Sequence, residues 1–587
     1  MKTIFRRRFV DNLQKFLALP PRFLAMMTLC MVYLAIAWLW LPAAALWSPD
    51  EGAKLWQMQS LRWENGFAYD LQYAGKSLDA ALEFAQPQAR GDLLTIREGK
   101  IYFQRLPIFP LLSLPLYDFF GMPALYVLPA LAGAAIGFLM FEWLEAPDRR
   151  PGAWLLIAFA SPVFIYSILF WEHTLATALN LAGAVAMLSF ATARPRLNTW
   201  AAAALFGAGF YLRQETIFFS AAFLAAYWLL FPAARRRAFG IAVVLGLFLL
   251  PYNFLHQVMF GGQSLPDNAR YVFYPFSYLR RAGWNAIPEL LTGSPTHEAI
   301  ATGWLGVVWA AAALLAIGTS LFSQARRWAK WLECAALSVS AIAAASFLFT
   351  NLSYRSAHGL LFTTPWALVG LIESRAAWQN GNQRLRLLIL TALLGLSGYV
   401  ISLVGLRASS PEGGMEWGSR FAMSFYPLLA ILAYRKERPL DNSSLSPGDR
   451  LVADIRSGAV GILLILGFGF QLRGLWTIRH DKLINAALNQ AIAASPAPAI
   501  VTDLWWLPLN AAPLKTEKPI FVVKDFASLA RWSVMLSPQS ITSFTLVTLN
   551  PTFIPEPAQQ PGQSQMLIQS QQSIEALWIQ QVQAAPR

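Results

Sequence analysis

Residues 23–46 read FLAMMTLCMVYLAIAWLWLPAAAL, and no charged side chain interrupts them. An uncharged run of that length matches a helix crossing a hydrocarbon core roughly 30 Å thick. Lipid offers no partner to backbone N–H and C=O groups, so such a run must satisfy them internally as a helix. Arg6, Arg7 and Arg8 precede it, a start that also suits a secretory leader. The run is longer than a leader's apolar core and many more follow, so it reads as a retained first span. Comparable stretches recur at residues 238–255 and 303–322.

The composition agrees. Of 587 residues, 56% are hydrophobic and 13% charged, whereas an ordinary soluble domain is about a quarter charged. A net charge of +14 would suggest nucleic acid in a soluble protein. Here many Lys and Arg sit in short loops between apolar runs, where they report topology, so no nucleic-acid partner is expected. Cys30 and Cys334, the only cysteines, both fall within apolar stretches and imply no disulfide framework.

Basic clusters at residues 6–15, Arg149 and Arg150, Arg194 and Arg196, residues 235–237, 326–330, 375–386 and 435–450 are expected on the cytoplasmic side. One outward and one inward helix between successive clusters gives about 13 spans, with the N-terminus inside and the C-terminus outside. The expected fold is an all-α polytopic membrane protein with a small C-terminal extracytoplasmic α/β domain. Its parts are a cytoplasmic basic N-terminus (1–22), a transmembrane domain (23–472) with a long outer loop (47–120), and an outer tail (473–587). Within that loop residues 106–120, with Pro107, Pro110 and Pro115, form an interfacial helix too short to span. In the tail, residues 500–503, 520–524 and 541–549 read as short strands between Pro, Asn and Ser. From Pro555 the chain is rich in Gln, Pro and Ala and buries little, with a terminal helix predicted over 574–582.

On this topology the chemistry-bearing residues lie on the outer face. The first outer loop opens WSPDEGAK, residues 47–54, placing Asp50 and Glu51 together at a membrane exit before an amphipathic run at 55–63. Ionisable groups near bilayer depth are costly and tend to be functional, and a carboxylate beside an apolar wall suits a general base. The same letters also start a helix well, with Asp50 as its cap. Both readings stand at this point.

An Asp-Glu pair after the first span, an amphipathic helix, a long outer loop and the Pro-rich RLPIFPLLSLPL (residues 105–116) together resemble the C-type glycosyltransferase superfamily. Protein O-mannosyltransferases and the lipid A aminoarabinose transferase belong to it. The hairpin FWEHTLA, with Glu172 and His173, resembles that superfamily's second acidic site. YLRQETIFF, with Arg213 and Glu215, is similar to its Arg-Pro-Glu hairpin, Gln214 replacing the proline. PEGGMEWGSRFAMSFYPLL, with Arg420, resembles its Gly-Gly, Trp-Gly, Arg signature. The likeness covers most of residues 50–429.

The resemblance implies a hexosyl or pentosyl transferase in a bacterial inner or plasma membrane. It would move sugar from a polyprenyl-phosphate donor to a glycan, lipid or protein acceptor on the outer face, with inversion. Asp50 matches the catalytic carboxylate and Glu51 the second letter of the pair, its side chain directed to Lys54 or an arginine. The departing phosphate needs cations; Arg420 is the first choice, Arg213 the second, and Lys54 or Arg105 the third. Glu215 is expected to pair with Arg213, because an unpaired buried arginine is expensive. Glu172 and His173 could ligate a divalent cation such as Mg or Mn, or simply hydrogen-bond backbone in a tight hairpin.

Rival functions are a lipid-linked glycan transporter or flippase, a glycan polymerase or ligase, and a non-catalytic envelope-assembly scaffold. Transporters place charge near the midplane. Polymerases and ligases centre their chemistry on a late loop. Here the charged motifs sit at span ends on one side, which favours an enzyme over a transporter, and the early Asp-Glu pair favours the transferase over a polymerase or ligase.

Overall fold

The computed structural model describes residues 21–62, 69–86, 93–103, 105–143, 150–188, 195–260, 291, 300–322, 326–350, 359–380, 382–409, 417–434, 446–514, 518–536, 542–554 and 566–584. Outside them lie the basic residues 6–15, Arg149, Arg194 and 435–445, most of the loop 259–301, Tyr354, Arg355 and His358, the Gly-Gly part of the late loop, and residues 555–565.

The chain is an integral membrane protein built mainly from helices. Among the described residues four helices are long and apolar enough to cross a membrane: Arg22–Trp40, Met122–Met140, Arg327–Phe349 and Pro447–Ala494. Other apolar helices are shorter, because the sequence interrupts them. Helix α5 (Arg150–Phe159) stops before Ser161, which caps the six-residue α6 (Pro162–Ser167) through Val163 N, and chain without helix leads on to α7 (His173–Leu188). A serine followed by proline ends one helix and starts the next.

Two compact units are drawn by contacts rather than chain order. The first comprises Met1–Ile36, Tyr126–Phe254 and Ser264–Thr477; the second comprises Ala37–Leu125, Leu255–Gln263 and Ile478–Arg587. In the first, α7 packs between α4 (Val127–Trp143) and α8 (Pro195–Leu212). Helix α9 (Ile217–Leu230) packs on α14 (Gln383–Ser409), α11 (Ile300–Ser320) on α12 (Arg327–Thr350), and α13 (Ala367–Asn380) on α15 (Tyr426–Ala433). Arg456, from the 48-residue α16 (Pro447–Ala494), reaches buried Glu333 of α12 at 3.0 Å and buried Glu373 of α13. A half-buried arginine holding two buried carboxylates ties three helices together.

In the second unit a five-stranded sheet has the order β4-β3-β5-β7-β6. Strands β3 (Ile500–Thr502), β4 (Ile520–Val522) and β5 (Ser543–Thr548) fall where the sequence places them and run parallel. The end of the chain differs from expectation. It forms no terminal helix but the antiparallel hairpin β6 (Met566–Ile574) and β7 (Leu577–Ala584) beside β5. Leu577, Ile579 and Val582 enter the sheet's core clusters, so strand pairing and burial override a Gln-rich composition.

Residues 73–84 share that core. Phe84 packs with Phe521, Trp532 and Phe544, and its carbonyl accepts from Val522 N at 2.8 Å. Helix α2 (Pro49–Leu61) is buried around nearly its whole circumference rather than being amphipathic. A Cβ on its Gly52 would lie 2.0 Å from the carbonyl oxygen of Leu509, so only glycine permits this approach. Helix α3 (Ile108–Phe120) has 13 residues with Pro115 inside, too short to cross a bilayer.

Candidate active site

In the second unit, the Asp-Glu pair lies in the first turn of α2. Ser48 is the N-cap and accepts from Glu51 N at 3.4 Å; Glu51 Oε2 accepts from Trp47 N at 2.6 Å and Ser48 N at 3.2 Å. This reciprocal capping box gives Glu51, fully buried, a structural occupation at the helix start. Capping therefore does not account for Asp50, which is half-buried one residue earlier.

The approach to this turn is pinned by helix α16. Trp47 Nε1 donates to Asp481 Oδ2 at 3.1 Å, and Asn485 Nδ2 donates to Leu46 O at 2.8 Å. Lys482 is fully buried within electrostatic reach of Glu51. Sequence reading passed over Asp481, Lys482 and Asn485. The available signal was three polar side chains at residues 481–485 on one long helix. Lys54 is buried on α2; Arg105 is exposed, and its carbonyl accepts from Gln57 Nε2 of α2 at 3.0 Å.

In the first unit, three sequence-distant motifs meet. Arg213 donates from Nη1 to Glu172 Oε1 at 3.0 Å and from Nε to Glu215 Oε1 at 2.7 Å. Its side chain is 6% exposed, that of Glu172 4% and that of Glu215 15%. Such a buried arrangement persists only because both ends are paired. His173 opens α7 with Nε2 3.7 Å from Glu215 Oε1, its ring 5.2 Å from those of Tyr166 and Trp171.

Arg420 joins this group through aromatic faces. Its guanidinium carbon lies 4.8 Å from the Trp171 ring centre and 5.0 Å from that of Phe421, and Arg213's lies 5.6 Å from Phe421. Phe421 therefore serves both arginines. Stacking uses the faces of a guanidinium and directs its N–H donors outward in the plane, the geometry that suits a phosphate.

Gly418 sets Arg420's position. Its φ of +72° lies in the left-handed region, and a Cβ there would meet Thr363 Oγ1 at 2.4 Å and Pro162 Cγ at 2.5 Å. The turn delivers Arg420 to the start of the 3₁₀ helix Arg420–Phe425, while Trp417 N donates to Tyr166 Oη at 3.1 Å. Around this turn the buried Ser419 Oγ, Thr363 Oγ1 and Trp417 Nε1 have no hydrogen-bond partner among the described residues. Buried polar atoms of this kind ordinarily pair with another polar group or an ordered water.

A divalent cation at Glu172 and His173 would have to share these carboxylates with Arg213. Arg213 already engages Glu172 and Glu215, and among the described residues no group of three His, Cys, Asp or Glu side chains is arranged to hold a metal. No metal-dependent step is derived.

No protein-family model and no curated protein matches the chain. Among solved structures it is similar to ArnT from Cupriavidus metallidurans bound to undecaprenyl phosphate. Identity is 14%, coverage 96% of this chain and 98% of that one, and the TM-score 0.48. The apo state of the same protein gives 14% identity, 95% and 97% coverage, and a TM-score of 0.48.

Proposed function

We propose that this protein is a membrane glycosyltransferase. It moves a hexosyl or pentosyl unit from a polyprenyl-phosphate donor to an acceptor hydroxyl on the outer face of a bacterial inner or plasma membrane, with inversion. The observation that carries the reading is Arg420, stacked on Trp171 and Phe421 beside a turn whose Ser419 and Thr363 hydroxyls have no partner among the described residues. A planar cation and hydroxyl donors in a water-poor setting would hold a phosphate and stabilise its departure. Arg213, neutralised by two carboxylates, is better suited to positioning Phe421 than to binding phosphate itself.

Asp50 is assigned as the base. It takes the proton of the acceptor hydroxyl as that oxygen attacks the anomeric carbon and the lipid phosphate leaves with the glycosidic electron pair. Ser48 and Glu51 cap the helix without it, which supports a role beyond helix formation. Lys54 and Arg105 remain secondary phosphate candidates.

The test uses full-length protein in nanodiscs, undecaprenyl phosphate as the binding probe, and the sugar lipid that accumulates in cells lacking the protein as donor. Asp50→Asn should bind the probe within about twofold of the parent while turnover falls roughly 10²-fold or more, the scale of a lost general base. Arg420→Ala should weaken binding about 10- to 100-fold, from a charged hydrogen bond contributing roughly 1.5–3 kcal/mol. Normal transfer by Asp50→Asn would remove the base, and unchanged binding by Arg420→Ala would remove the phosphate role.

A further inference from the structure

Two arginine–tryptophan pairs in the first unit are built the same way. Arg235, at the start of α10 (Arg235–Phe260), donates from Nε to Trp228 O near the end of α9 at 3.2 Å, and its guanidinium carbon lies 4.6 Å from the Trp228 ring centre. Arg386, in the first turn of α14, donates from Nε to Trp378 O near the end of α13 at 2.9 Å, its guanidinium carbon 5.9 Å from that indole. In each pair an arginine of the next helix closes a carbonyl that a helix end leaves open. Its Nε and one face are then occupied, and the indole holds the guanidinium plane so that the two Nη groups form the remaining edge.

The two pairs belong to one patch. Gln383 Nε2 donates to Leu230 O, which brings the first turn of α14 to the last turn of α9, and these two helices pack on one another. Gln383 stands one turn before Arg386, and Leu230 two residues after Trp228. Arg236 and Arg384 lie exposed beside them. Residues 216–266 and 374–411 contain no aspartate or glutamate, so α9, α10 and α14 supply no carboxylate to this end of the unit. Glu373 of α13 is engaged by Arg456.

Closing helix ends does not require this charge, since the neutral amide of Gln383 closes Leu230 O within the same patch. The surroundings indicate what the charge meets. Phe239, Val243 and Leu247 are exposed at four-residue intervals along α10, which places them in one stripe on the helix surface. On an integral membrane protein an exposed apolar stripe faces lipid, and cations with indoles at its end stand at headgroup depth. A partner that fills this surface must carry negative charge and acyl chains together. A nucleic acid or an acidic peptide does not.

We propose that this patch binds the phosphate of an anionic phospholipid through the Nη edges of Arg235 and Arg386, with Arg236 and Arg384 adding charge and the acyl chains lying along the stripe of α10. Basic pockets between membrane helices take such headgroups by this chemistry. The proposal uses none of the residues assigned to sugar transfer and stands apart from that reading.

The test is native mass spectrometry of the full-length protein in detergent, titrated with phosphatidylglycerol or phosphatidylcholine of matched acyl chains. The first phosphatidylglycerol should bind at least about tenfold more tightly than phosphatidylcholine. Arg235→Gln combined with Arg386→Gln keeps an amide donor for each carbonyl and removes two charges. At roughly fivefold per charge, it should weaken phosphatidylglycerol binding about 25-fold and leave phosphatidylcholine binding within about twofold. Arg236→Gln combined with Arg384→Gln, which disturbs neither carbonyl contact, should weaken binding in the same direction and serves if the first double variant fails to fold. Arg479 makes the same contact with Trp40 in the second unit, Nε to O at 3.2 Å and 4.7 Å to the ring centre. Arg479→Gln therefore controls for interfacial charge in general and should leave affinity within about twofold. Equal affinity for the two lipids, unchanged affinity in both double variants, or an equal loss in Arg479→Gln would overturn the proposal. Displacement of the lipid by inorganic phosphate at matched ionic strength would mark a free-anion site and overturn it as well.

Discussion

Replacing Arg213 by leucine should destabilise the first unit by about 3–5 kcal/mol, the usual scale for breaking a buried ion pair from one side. The magnitude follows from the geometry. Two carboxylate oxygens lie 3.0 and 2.7 Å from the guanidinium, and all three side chains are largely buried. Each pair attracts by about 5 kcal/mol at an effective dielectric constant near 20. Desolvation offsets several kcal/mol per ion, so the intact network contributes little net stability. Removing only the cation leaves that desolvation uncompensated and sets Glu172 against Glu215. The triple variant Arg213→Leu, Glu172→Gln, Glu215→Gln removes the charges together and should regain at least about 2 kcal/mol over Arg213→Leu alone. The assay is reversible unfolding in mixed detergent micelles, followed by tryptophan fluorescence. A loss under about 1 kcal/mol in Arg213→Leu, or a triple variant no better than the single one, would refute the account of a mutually neutralised buried network.

Gly418→Ala should cost about 1–3 kcal/mol from left-handed backbone strain alone, with more from the approach to Thr363; weakened undecaprenyl phosphate binding alongside it would show Arg420 displaced, and an unchanged protein would exclude the turn as its support. Desolvation by burial raises the carboxyls of Asp79 and Asp503 above the ordinary value, against the hydrogen bonds that favour their charged forms. The folded state therefore holds protons that the unfolded state releases, so stability falls as pH rises from about 4 through the raised values. Asp503→Asn should flatten that slope in denaturant titrations across this range, and a slope of opposite sign would contradict the burial argument. A reporter fused after Arg237 should report cytoplasm and one after Ala493 the outer side; a cytoplasmic tail reporter would invert the assignment of the outer face.

Membrane class was legible in the sequence because lipid imposes a one-dimensional demand: a long uncharged run must satisfy its own backbone, whatever surrounds it. The three parallel strands were legible for a related reason, since short apolar segments between Pro, Asn and Ser carry a local signal. Candidate residues at Glu172, Arg213, Glu215 and Arg420 could be named from the motifs that carry the family resemblance. Their contacts could not. Arg213 meets Glu172 across 41 positions, and the role of Phe421 between two arginines depends on rings whose distances no spacing encodes. The division of labour in the Asp-Glu pair was ambiguous for the opposite reason: Ser48, Asp50 and Glu51 all suit a helix start, and only backbone geometry selected Ser48 and Glu51 for the cap. The terminal hairpin was misread because its Gln-rich composition is polar, while its strand character comes from pairing with β5 and from Leu577, Ile579 and Val582 meeting a core assembled from distant segments.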